Sequence, residues 1–168
     1  QGDLVVARHE LPVASVYEGN GSGGFGPPQG WSLGFGESSF PATVLLTHLD
    51  RDAKFDLAAA EWNSGSVSVL HNTTDFAPAG GFGTRIRVGS PEPGLRKLQV
   101  GDLNRDGKLD VAALDTRRIV AHLGNGDGSF RSEPLISPSV EDGMLLRFEL
   151  GDLNRDGRLD LLFANGLD

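Results

Sequence analysis

Apolar residues along this chain fall in short runs broken by glycine, proline and acid-rich turns. None of the runs keeps a 3.6-residue period bounded by helix caps. One class of run follows an aspartate: DLVVA at 3–7, DLAAAEW at 56–62, DVAALD at 110–115 and DLLFAN at 160–165. A second class alternates apolar and polar positions: VASVYEGN at 13–20, VSVLHNTT at 67–74 and IVAHLGNG at 119–126. Between them lie glycine-rich turns that end in phenylalanine (Phe25, Phe82 and Phe130), then a further short strand such as TRIRVGS at 84–90. Segments rich in Val, Leu and Ile lead into the next acidic turn: ATVLLTHL at 42–49, LRKLQVGDL at 95–103 and LLRFELGDL at 145–153. The pattern predicts four short strands per unit, joined by tight turns.

The acidic turns themselves repeat. GDLNRDGKLD at 101–110 and GDLNRDGRLD at 151–160 differ only at Lys108 and Arg158, and THLDRDAKFD at 47–56 is a looser copy. From Asp3 to Asp56, Asp110 and Asp160 the steps are 53, 54 and 50 residues. Units taken from this register cover 1–53, 54–107 and 108–157, and 158–168 starts another. Four strands in about fifty residues predict an all-β chain of β-propeller blades, each of four antiparallel strands. A sandwich or a parallel solenoid is the alternative, but the period is too long for one coil of a parallel β-helix. About three blades are expected, with the chain opening and closing on a second strand. Such an array needs further blades or other chains to close a ring.

The D-x-[ND]-x-D-G-x-x-D-[LV] spacing, the strand after it and GNGDGSF at 124–130 resemble the FG-GAP/VCBS repeats of integrin α-subunit heads and bacterial surface proteins. The resemblance runs in register over nearly the whole chain. It implies calcium in the loop between the first and second strands of each blade. It also implies adhesion to a glycan or protein outside the cell.

The residues support the ion on their own terms. In one loop Asp102, Asn104, Asp106, the Lys108 carbonyl and Asp110 offer oxygen ligands, and Gly107 permits the sharp turn. Asp152, Asn154, Asp156, Arg158 and Asp160 repeat the set. Hard oxygen donors without Cys or His suit Ca2+ better than Mg2+. An EF-hand does not fit, because its twelfth position, a bidentate Glu, falls on Ala113 and Phe163. The first loop offers Asp50, Asp52, Lys54 and Asp56, but His48 replaces the first carboxylate and Ala53 the turn glycine, so binding there is expected to be weaker or absent. The expected role of calcium is to stabilise the fold by binding the native state.

Composition narrows the function classes. A net charge of -8 argues against nucleic acid and anionic lipid as partners. The absence of cysteine excludes disulfides, thiol catalysis and cysteine–zinc sites. No apolar run is long enough to span a membrane, and no leader is visible at Gln1. No triad order or paired-acid spacing stands apart from the repeat, so an enzyme is not expected. The alternatives are the propeller portion of a polysaccharide lyase or hydrolase, or a purely structural blade array. His71 and His122 are expected at equivalent third-strand positions. Trp31, Trp62 and the repeated phenylalanines are expected between blades.

Overall fold

The computed structural model describes residues 2–8, 11, 13–33, 40–73, 82–88, 94–132, 135–136 and 144–166. Thirteen strands and no helix occur among them, arranged as four antiparallel sheets in chain order. The first sheet holds β1 (Leu4–Ala7), β2 (Val13–Tyr17) and β3 (Gln29–Ser32). The second holds β4 (Pro41–Thr47), β5 (Asp56–Glu61), β6 (Val67–Asn72) and β7 (Phe82–Val88). The third holds β8 (Lys97–Gly101), β9 (Asp110–Leu114), β10 (Ile119–His122) and β11 (Leu135–Ile136). The fourth pairs β12 (Met144–Gly151) with β13 (Asp160–Gly166). Within each sheet, sequence neighbours are spatial neighbours, as in an up-and-down meander. Four strands per blade therefore holds for the second and third sheets, whereas the first has three strands and the fourth two.

Neighbouring sheets touch through their early strands: β1 against β4, β4 against β8, and β8 against β12. Side chains alternate between the two faces of a strand, so each middle sheet buries both. On β5, Leu57 and Ala59 pack with Ala14 of the first sheet and Leu33 just after it. Ala58 and Ala60 pack forward with Leu98, Val111 and Ala113 of the third. On β9, Ala112 and Leu114 pack with Leu145 and Phe148 of the fourth sheet. Alanine at these positions lets sheets approach closely, which explains why these strands read as continuous apolar runs. Lys97 and Gln99 of β8 also donate to the Glu149 carboxylate of β12, tying the last two sheets at their rim.

The fourth sheet is the least covered. Leu146, Leu162 and Phe163 are exposed, and an apolar cleft of about 310 Å³ lies between the third and fourth sheets against Leu103, Ile119, Leu150 and Leu161. Among the described residues the sheets do not close a ring.

Two aromatic expectations change. Phe25 is 51 % exposed and not packed between sheets, although Phe130 does pack on the core between the second and third. The surroundings of Phe82, at the start of β7, lie outside the described residues. Trp62 is also exposed, with the Arg96 guanidinium 4.7 Å from its ring centroid.

Candidate metal centre

Each acidic loop joins the first strand of a sheet to its second, and its last aspartate opens that second strand. This aspartate acts first as a structural staple. Asp110 is wholly buried; one carboxylate oxygen accepts from Leu103 N and the other from Gly124 N, both at 2.8 Å. Asp56, also wholly buried, accepts from Leu49 N at 2.8 Å and Asn72 N at 3.0 Å. Asp160 accepts from Leu153 N, and Asp3 from Gly19 N, in the same sense. The carboxylate thus fastens the acidic loop, and in the two full sheets also the end of the third strand, through charge-assisted hydrogen bonds. Burial pushes the Asp110 carboxyl above its ordinary value; the two N–H donors oppose this, and the negative charges of Asp106 and Asp102 add to it.

The rest of the 102–108 loop is wound by its own side chains. Asp102 accepts from Asp106 N at 3.1 Å and Gly107 N at 2.8 Å. Asn104 accepts from Asp106 N, and Asp106 from Lys108 N. Every one of these bonds recurs in the 152–158 loop, from Asp152, Asn154 and Asp156. Gly107 and Gly157 both sit at φ 78°, in the left-handed region that glycine enters without a Cβ clash. Arg105 and Arg155 share a left-handed φ of 63°. The two loops therefore have one conformation. The donors are all oxygen, with the Asp102 and Asp106 carboxylates gathered in one turn beside Asp110, and this chemistry fits a calcium ion.

The first loop is built differently. Its His48 Nδ1 donates to the Lys54 carbonyl at 2.7 Å, occupying the oxygen expected to serve as a ligand, and the ring stacks on Phe55. Ala53, which has no positive φ, does not take the turn that Gly107 makes. Asp50 and Asp52 still accept from Asp52 N and Lys54 N. Asp50 then turns its second oxygen toward His71, 3.6 Å from Nδ1, and Asp56 Oδ1 lies at the same distance. Asp50, Asp56 and His71 are, among the described residues, the one set of three His, Asp or Glu side chains whose ligand atoms all lie within 4.8 Å of one another. The Asp56 carboxylate, then Asp50, raises the His71 pKa above its ordinary value despite burial. On Asp56 burial pushes upward, but His71 and the Asn72 and Leu49 N–H groups outweigh it and hold the carboxyl below its ordinary value.

His71 was legible only as a repeat position, and that reading is off by one residue. Leu57 pairs with Leu70, whereas the equivalent Val111 pairs with His122. His122 thus matches Leu70, and His71 matches Leu123. A shift of one position puts the two imidazoles on opposite faces of their strands. His122 points elsewhere, with Nδ1 donating to the Arg131 carbonyl at 3.2 Å and burial lowering its pKa.

Comparison with known proteins agrees with the repeat. The family model described as FG-GAP-like repeat matches residues 48–113 and again 102–163, so each match spans from one acidic loop to the strand after the next. No curated protein matches the chain. Among solved structures, a chain of the Photorhabdus luminescens Tc holotoxin pore is similar, with a TM-score of 0.50 and 17 % identity. That alignment covers 96 % of this chain but only 8 % of the toxin chain, and at this identity it speaks to the fold alone.

Proposed function

Because the chain belongs to the FG-GAP-like repeat family, we propose that it is a calcium-stabilised, β-propeller-like binding module that works outside the cell. The observation that carries the calcium reading is the pair of loops at 102–110 and 152–160. They share one backbone conformation and one set of side-chain bonds, and each offers an all-oxygen donor set. Asp102, Asn104, Asp106 and the Lys108 carbonyl would hold one ion, and Asp152, Asn154, Asp156 and the Arg158 carbonyl the other. Asp110 and Asp160 supply charge while they staple the strands. Millimolar extracellular calcium is enough to fill moderate-affinity sites of this kind.

Partner binding rests on the uncovered parts of the fold. The exposed Leu146, Leu162 and Phe163 and the apolar cleft beside them suit further blades of the same repeat, from this chain or another. The similarity to a segment of a holotoxin chain is consistent with a module that works inside a larger assembly. Adhesion to a glycan or protein follows from the family resemblance.

Equilibrium dialysis against radioactive calcium tests the reading. The account expects two ions per chain, one after Asp102→Asn and none after Asp102→Asn with Asp152→Asn. No uptake at about 1 mM calcium would overturn it.

A further inference from the structure

We propose that Asp50, Asp56 and His71 form a separate site for a borderline divalent transition metal, with zinc as the representative ion, built where the first acidic loop has lost its calcium pattern.

The geometry between the three side chains is the first support. His71 Nδ1 lies 3.6 Å from Asp50 Oδ2 and 3.6 Å from Asp56 Oδ1. An imidazolium that simply paired with carboxylates would close to about 2.7–2.9 Å on at least one of them. A tetrahedral ion with bonds of about 2.0–2.2 Å instead holds its donors about 3.4 Å apart. The observed spacing matches the second arrangement. Both ring nitrogens of His71 are shut off from solvent, and the Asp50 and Asp56 carboxylates beside Nδ1 stand outside ordinary hydrogen-bond distance at 3.6 Å, a gap that an ion would fill.

The surroundings hold each donor in place, as groups around a metal do. Asp56 is fixed by the N–H groups of Leu49 and Asn72. Asp50 Oδ1 is held by Asp52 N, which leaves Oδ2 facing His71. The imidazole is wedged against Gly128 of the third sheet: a Cβ there would stand 1.6 Å from His71 Cε1. The donor set itself selects the ion. A nitrogen donor disfavours calcium and suits zinc, cobalt or nickel. Three protein ligands leave a fourth position for water or an exogenous group.

The test uses the whole chain, freed of metal by chelation and titrated with Co2+, whose four-coordinate complexes absorb strongly in the visible. The site predicts visible bands that saturate at one equivalent, vanish on adding Zn2+, and persist in excess Ca2+. His71→Gln abolishes the bands. Asp50→Asn, at a more exposed position, weakens metal binding at least tenfold and remains the decisive variant if His71→Gln does not fold. The Asp102→Asn, Asp152→Asn double variant keeps the bands, so failure of the calcium reading and failure of this one are distinguishable. Absence of visible bands with Co2+, or bands unaltered by Asp50→Asn, overturns the proposal.

Discussion

Arg51 of the first acidic loop reaches into the next one, donating from Nη2 to the Gly107 carbonyl at 2.9 Å. The close approach of arginine to the next loop's glycine repeats one sheet later. A Cβ on Gly107 would lie 3.8 Å from Arg51 Nη2, and one on Gly157 would lie 3.6 Å from Arg105 Nη2. Both arginines, and Arg155 after them, hold a left-handed backbone that favours glycine and costs an ordinary residue about 1–2 kcal/mol. At Arg51 the hydrogen bond to the Gly107 carbonyl offsets part of that cost.

Replacing Arg51 separates the two terms. Arg51→Ala loses the hydrogen bond and keeps the strain, and it should lower stability by about 1 kcal/mol. Arg51→Gly loses the same bond but relieves the backbone, so it should stay within about 0.5 kcal/mol of the parent. Urea unfolding followed by circular dichroism reads both. A glycine variant less stable than the alanine one would contradict the strain assignment.

Removing a staple should cost much more. Asp110→Ala leaves Leu103 N and Gly124 N without their acceptor in a buried setting, at roughly 1–3 kcal/mol each. Asp110→Asn keeps one acceptor oxygen and should fall between the alanine variant and the parent. Thermal melts in excess chelator isolate this term from any metal effect.

The His71–Asp56 pair predicts a pH dependence in the metal-free chain. The His71 pKa is raised from 6.5, so its contribution is complete below 6.5 and is lost as pH rises through the higher folded value. The Asp56 pKa is lowered from 3.8, so its contribution is present above 3.8 and is lost as pH falls through the lower folded value. The pair therefore contributes most between pH 3.8 and 6.5. The stability difference between the parent and His71→Gln should shrink above that window. Denaturant titrations at stepped pH measure it, and taking the difference cancels His122, which titrates in both.

The uncovered fourth sheet predicts self-association. Leu162 is 56 % exposed on a strand whose counterparts in the middle sheets are buried. Light scattering should give a mass above the 17.8 kDa monomer. Leu162→Arg should bring it to the monomer without a loss of more than about 0.5 kcal/mol, as expected at an exposed position.

The repeat, the all-β class and the meander of each sheet follow from local signals. Alternation, apolar runs after aspartate and left-handed glycines each act over a few residues. The GNGDG segment at 124–128 forms the tight turn its composition predicts, with Gly126 and Gly128 at positive φ. What escaped the sequence depends on long-range geometry. The staple role of Asp110 needs the end of β10 to return beside the loop, although its recurrence as Asp3, Asp56 and Asp160 was the available signal. The meeting of His71 with Asp50 depends on His71 standing one position further along β6 than His122 stands along β10. Comparison of unaligned third strands cannot reveal it, since His71 and His122 look alike until their pairing partners are known.

The most direct test of the central claim is a thermal melt of the chelator-treated chain, repeated with Ca2+ and with Mg2+. At a hundredfold excess over Kd, one calcium site adds about 2.7 kcal/mol, which raises Tm by about 5–10 °C for a chain of this size. The account predicts that rise with calcium, little change with magnesium, and loss of the rise in the Asp102→Asn, Asp152→Asn variant. An unchanged Tm with calcium would mean that the repeated loops are acidic turns held by their own hydrogen bonds, and the calcium assignment would fall.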